Sequence, residues 1–162
     1  MSDIDESYEV IVDYKPPQWH TIRRKPASRR SIVNEFQAKL FVKTANQLIA
    51  RLSRPLELQQ TTLDQIKEQP EYALFIDVAY ACGFVCHDMK PDADLNAVSA
   101  QPESFISSWN FPEIRMYIHT LLRAERWADG YSSPICEAIS SGALAMVAER
   151  IGRDSELYSP VE

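Results

Sequence analysis

The strongest constraint on how this chain folds is the punctuation of one segment, Phe111–Gly130. Asn110 precedes it as an N-cap, Glu113 completes a capping box three residues later, and Pro112 lies in the first turn. Gly130 supplies a stop. On a helical wheel at about 100° per residue, Ile114, Tyr117, Ile118, Leu121 and Ala128 gather on one side. Glu125 falls between Ile118 and Leu121 on that same side. Arg115, His119 and Arg126 lie within about 40° of one another beside it, with Leu122 in the stripe and Arg123 at its border. An apolar helix face must be covered, and a carboxylate on that face must be partnered or protonated. The segment therefore predicts a helix docked into a core, with polar chemistry at the seam.

The remaining punctuation repeats this helical pattern. Ser31 is read as the cap of a long helix reaching about Leu52, with Val33, Phe36, Leu40, Leu48 and Leu52 at helical spacing and Pro55 just beyond. Thr62 and Gln65 form a capping box for a short helix that ends near Pro70. Residues from Pro70 to Cys82 predict a helix that is apolar on most sides, hence central, stopped by Gly83. Residues 84–109 read as mostly irregular and acidic, with one short helix from Pro102 to Ser107. Ser133 and Pro134 open a further helix stopped by Gly142, and a last one covers Ala143–Ile151. The expected fold is all-α or nearly so: a single domain of about five to seven helices over residues 31–152. Residues 1–30 form an extended or flexible arm, with one short strand over Tyr8–Tyr14, and 153–162 a tail.

Charge is segregated along the chain. The net charge of the 162 residues is −6, yet residues 15–30 carry Lys15, Arg23, Arg24, Lys25, Arg29 and Arg30 and no acid. From Glu68 to Glu113 there are eight acids and one base, Lys90. A basic arm and an acidic body is a clue to partners: the arm can contact nucleic acid, a partner protein, a second copy or the acidic body of its own fold. No apolar run approaches a bilayer span, and no basic n-region precedes an apolar stretch, so the expectation is a cytoplasmic protein without membrane contact. Three cysteines agree with a reducing compartment.

Three constellations carry possible chemistry. Glu125 with His119 and the arginines 115, 123 and 126 can be read as an acid/base pocket for an anion. The simpler reading is a structural ion pair, with Arg150 or Arg123 as the partner of Glu125. Cys82, Cys86 and His87, with Cys136 or His119, offer zinc-ligand atoms, but the spacing fits neither a zinc knuckle nor haem attachment. Cys136, in a first helical turn, is a weak candidate nucleophile. No cofactor or metal is expected.

The C-terminal half resembles a small uncharacterised bacterial domain family of unknown function. The resemblance rests on Arg123, Glu125, Arg126 and Trp127, then Asp129 and Gly130, Gly142, and a final helix ending in Arg150 and Ile151. The stretch Ala81–Asp88 is similar to the family's preceding segment up to its Gly-Phe step, then departs from it at His87, Asp88 and Met89. It implies a shared helical fold, a structural role for the Arg/Glu signature, and an accessory setting such as a bacterial phage or mobile element.

The leading functional expectation is a protein–protein interaction module, an adaptor, regulator or inhibitor, using Lys15, Trp19, Arg23, Arg24, Lys25, Arg29 and Arg30. A homodimer is compatible with the same segregation of charge. Two alternatives stay open: nucleic-acid binding through the basic arm, with Trp19 stacking on a base, and a small enzyme using Glu125, His119 and the arginines.

Overall fold

The structure, a computed structural model, describes residues 24–128 and 132–153. The described residues form eight helices: α1 (Glu35–Glu57), α2 (Leu63–Glu68), α3 (Pro70–Ala81), α4 (Leu95–Ala100), α5 (Pro102–Ile106), α6 (Phe111–Trp127), α7 (Pro134–Ser141) and α8 (Ala143–Arg153). There is no strand among them, so the all-α expectation describes the fold. Among the described residues the one β-type feature is an isolated parallel bridge between Ala27 and Cys86. The expected strand at Tyr8–Tyr14 lies outside the described residues.

Local chemistry sets most helix ends. At α6, Asn110 accepts from the Glu113 amide at 2.9 Å while Glu113 accepts from the Asn110 amide at 3.0 Å. Thr62 and Gln65 form the same reciprocal pair at α2. Gly142 ends α7 with φ +87°, in the left-handed region that glycine enters without a Cβ penalty.

The structure differs from the sequence reading at several points, among them α8, which runs through Gly152 to Arg153 instead of stopping at Ile151. The cap of α1 is Asn34, boxed with Gln37, rather than Ser31. Ser31 instead closes a turn, its hydroxyl donating to the Ser28 carbonyl at 2.6 Å. The helix also runs past Leu52 and through Pro55 to Glu57, because proline's fixed φ is helical and its missing N–H forfeits only one bond. Residues 84–109 contain an additional helix, α4, capped by Asp94. Finally, α6 stops at Trp127, where the backbone of Ala128 turns extended, before Gly130 is reached.

α1 packs against α3 and α8, and α7 is held between α1, α6 and α8. The ring of Phe41 on α1 lies 5.4 Å from Phe75 on α3 and 4.4 Å from Phe84 just beyond it. As its all-round apolar sequence predicts, α3 buries Tyr72, Leu74, Phe75, Ile76, Val78, Ala79 and Tyr80. α6 borders this core with two polar clusters.

Candidate functional site

Arg115 and His119, one turn apart on α6, face residues 27–31 and the loop that follows α3. Arg115 is buried, yet among the described residues no carboxylate is a hydrogen-bond partner. Its guanidinium donates to the carbonyls of Ser28, Arg29, Ser31 and Gly83 and to the Ser31 hydroxyl, at 2.7–3.3 Å. A planar fork of N–H groups suits such a cage, and carbonyl dipoles replace the lost water. Gly83 can offer its carbonyl because its φ is +86°.

Asp88 completes the clasp from the exposed side. Its Oδ1 accepts from the Arg29 amide at 2.6 Å and its Oδ2 from the Ser28 hydroxyl at 3.2 Å. The Arg29 amide bond, supported by the Ser28 hydroxyl, holds the Asp88 carboxyl below its ordinary range.

His119 is fully buried. Its Nδ1 accepts from the Cys86 amide at 3.1 Å, and its Nε2 lies 2.7 Å from the Met89 carbonyl. An amide on one side and a carbonyl on the other assign a neutral imidazole with its proton on Nε2. Burial pushes its pKa below the ordinary value and the charges of Arg123 and Arg115 push the same way, against the Met89 carbonyl.

The second cluster surrounds Glu125, also buried. Tyr72 donates its hydroxyl to Oε2 at 2.8 Å. Ser133 donates to both carboxylate oxygens at 2.9 and 3.0 Å, and the Ile135 amide donates to Oε1 at 2.8 Å. Ser133 is the N-cap of α7, and its oxygen also accepts from the Cys136 amide at 3.2 Å. The carboxylate therefore sits on the positive end of α7. Burial first, then the neighbouring Glu125, push the Tyr72 phenol far up, so it remains a proton donor.

The expected arginine partners of Glu125 lie elsewhere. Arg150 donates to the carbonyls of Ile106 and Trp109. Arg123 buries its Nε without a hydrogen-bond partner among the described residues. Neutral O–H and N–H dipoles replace the expected ion pair because a helix N-terminus already presents positive charge. Arg126 shares the wheel position of Arg115 and His119 but is exposed, its guanidinium 5.4 Å from the Trp127 ring centre. A wheel discards height along the axis, and Arg126 lies in the last turn. The stripe thus divides into separate structural clasps rather than one pocket.

The thiols are buried and free. Burial pushes Cys82 up to about 12, and raises Cys86 and Cys136 as well, against Arg115 and the Ser133 hydroxyl respectively. These are protonated, poorly nucleophilic sulfurs. Among the described residues, no group of three or more His, Cys, Asp or Glu side chains is placed to hold a metal ion. Both ring nitrogens of His119, one of the zinc candidates, are already engaged.

Of the basic-arm residues, Lys15, Trp19 and Arg23 lie outside the described residues. Arg24 pairs with Asp77 at 2.5 Å. Lys25, Arg29 and Arg30 are exposed, close in sequence to two exposed apolar side chains, Ile32 and Phe36. Sequence reasoning singled out Arg115 and His119 but missed Ser28, Ser31, Gly83 and Asp88, which complete the clasp. The two serines three residues apart were the available signal.

Compared with models of known protein families, with curated proteins and with solved structures, the chain matches none.

Proposed function

We propose that this protein is a protein–protein interaction module, an adaptor, regulator or inhibitor acting in the cytoplasm. It recognises an acidic surface on its partner through Lys25, Arg29 and Arg30. One observation carries the reading. These side chains are exposed, and the backbone of residues 27–31, which carries Arg29 and Arg30 and directly follows Lys25 and Pro26, is fixed by Arg115, Asp88 and the Ala27–Cys86 bridge. Cations held in place lose less conformational freedom on binding, and flanking apolar groups such as Ile32 and Phe36 add contact area. Buried free thiols agree with a reducing compartment. Among the described residues, no helix is long and apolar enough to cross a membrane.

The test is the triple charge reversal Lys25→Glu, Arg29→Glu and Arg30→Glu, with circular dichroism to verify the fold. A protein that co-purifies with the wild type from its native cells should be absent from the variant. Equal recovery by both would sink the reading. Sedimentation of the purified chain at low and high salt tests a second copy as the partner.

The same exposed cations favour a second reading, binding of nucleic acid. Fluorescence anisotropy with labelled single- and double-stranded DNA and RNA decides it. Counterion release requires affinity to fall steeply and linearly on a log–log plot against salt.

A further inference from the structure

The loop after α3 is held from two sides at one residue. On its outer side the Ala27 amide donates to the Val85 carbonyl at 2.8 Å, and the His87 amide donates to the Ala27 carbonyl at 2.9 Å. On its inner side the Cys86 amide donates to His119 Nδ1, and Met89 accepts at Nε2. The contact that docks residues 24–31 and the contact that pins the loop to α6 therefore meet at Cys86. Phe84, its ring tilted against that of Phe41, anchors the start of the loop independently.

A protonated imidazole has two donors and no acceptor. The Cys86 amide would then confront Nδ1–H, leaving two buried donors opposed. Among the described residues, no carboxylate bonds the ring to compensate the new charge. On α6 the ring is flanked by Arg115 and Arg123, both cationic. The loop brings the Cys86 thiol and the exposed His87, Asp88 and Lys90, and both oxygens of Asp88 are engaged by Ser28 and Arg29. Residues 24–31 contain no acid. On the side of α4, Thr120 of α6 accepts from the Ala93 amide, Asp92 is exposed, and Asp94 accepts from the Ala97 amide.

We infer that His119 is a proton-operated pin: protonating it frees residues 86–90 from α6 and undoes the bridge between that loop and the basic segment, while the helical core stays assembled. The inference stands whether or not that segment binds a partner. In the opened loop the imidazole recovers its ordinary pKa of about 6.5. One proton is then coupled to opening, so the opening equilibrium rises about tenfold per pH unit below that value until the closed form itself titrates. Asp88, held below its ordinary range, stays ionised through this window.

Amide hydrogen exchange followed by NMR from pH 7 to pH 5, corrected for intrinsic rates, tests the pin. In the wild type, the amides of Ala27, Cys86 and His87 should lose protection about tenfold per pH unit. The amides of Leu48 and Phe75, within α1 and α3, should not. His119→Gln, which keeps an acceptor and a donor but does not titrate, should abolish the slope. The same slope in that variant, protection retained to pH 5, or simultaneous loss at Leu48 and Phe75 would each overturn the inference. Should the variant not fold, the His119 ring nitrogens themselves report. The fall in amide protection must level off at the pH where the ring nitrogens titrate, and levelling off while the ring is still neutral, or a continued fall after it has titrated, overturns the pin equally.

Discussion

The Tyr72 hydroxyl and the Glu125 carboxylate meet at 2.8 Å across 53 residues of sequence, joining α3 to α6 in the interior. The contact satisfies a buried carboxylate that, among the described residues, has no cationic side chain bonded to it. It also makes a phenol, usually a peripheral group, part of the internal framework.

Removing that donor should be costly but survivable. Tyr72→Phe preserves the ring packing and deletes one hydrogen bond to a charged acceptor, a loss of about 1.5–3 kcal/mol. Urea unfolding should show a lower midpoint with an unchanged slope.

Glu125 should obey a graded series. Glu125→Gln keeps an acceptor for the Ile135 amide but removes the charge from the start of α7, costing about 1–2 kcal/mol. Glu125→Ala strands the Tyr72 hydroxyl, the Ser133 hydroxyl and the Ile135 amide together, costing about 3–5 kcal/mol. Equal losses in the two variants by denaturant titration would contradict the clasp assigned to this carboxylate.

Two glycines provide a matched pair. Gly83 is buried beside Arg115, whereas a Cβ on Gly142 would meet nothing within 4 Å, yet their φ angles are +86° and +87°. A Cβ on Gly83 would lie 3.5 Å from the Ser31 hydroxyl and 3.8 Å from Arg115, ordinary contact distances. Backbone strain alone then governs both substitutions to alanine, at about 1–2 kcal/mol each. Thermal unfolding of both variants checks this. A much larger loss at Gly83 would mean that the clasp cannot accommodate a methyl group.

Acid should weaken the Asp88 contact in a defined direction. Its folded pKa lies below its unfolded value, so its contribution is complete above the unfolded value of about 3.9. That contribution disappears as pH falls through the folded value. Melting temperatures measured downward from pH 5 should fall less steeply for Asp88→Asn than for the wild type, and the gap between the two should close at the acid end.

The sequence disclosed what neighbours in the chain decide. The Asn110–Glu113 and Thr62–Gln65 boxes, Pro134 and Gly142 act over a few residues, and each marks an observed boundary. Ser31 misled because it has a cap's chemistry. Its hydroxyl and carbonyl are claimed instead by Arg115 from a helix far along the chain. α4 escaped notice because six residues with one buried side chain, Val98, carry almost no periodicity. The inward turn of Glu125 was legible from the wheel, but its partners were not. Tyr72 and Ser133 become donors only when α3 and α7 converge on α6. Carbonyl acceptors such as Gly83 leave no trace in side-chain patterns.

The bonds from Arg115 to Ser28, Arg29 and Ser31 span 84–87 residues of sequence. On a ribosome, the basic segment emerges long before the arginine that will seat it. At about 5–20 residues per second, that interval lasts roughly 4–17 s. Closing so long a loop also carries an entropic cost of about 4 kcal/mol, which earlier packing of α1 on α3 reduces. The basic segment is thus synthesised early and seated late, and every newly made copy passes through a period with its cations unclasped.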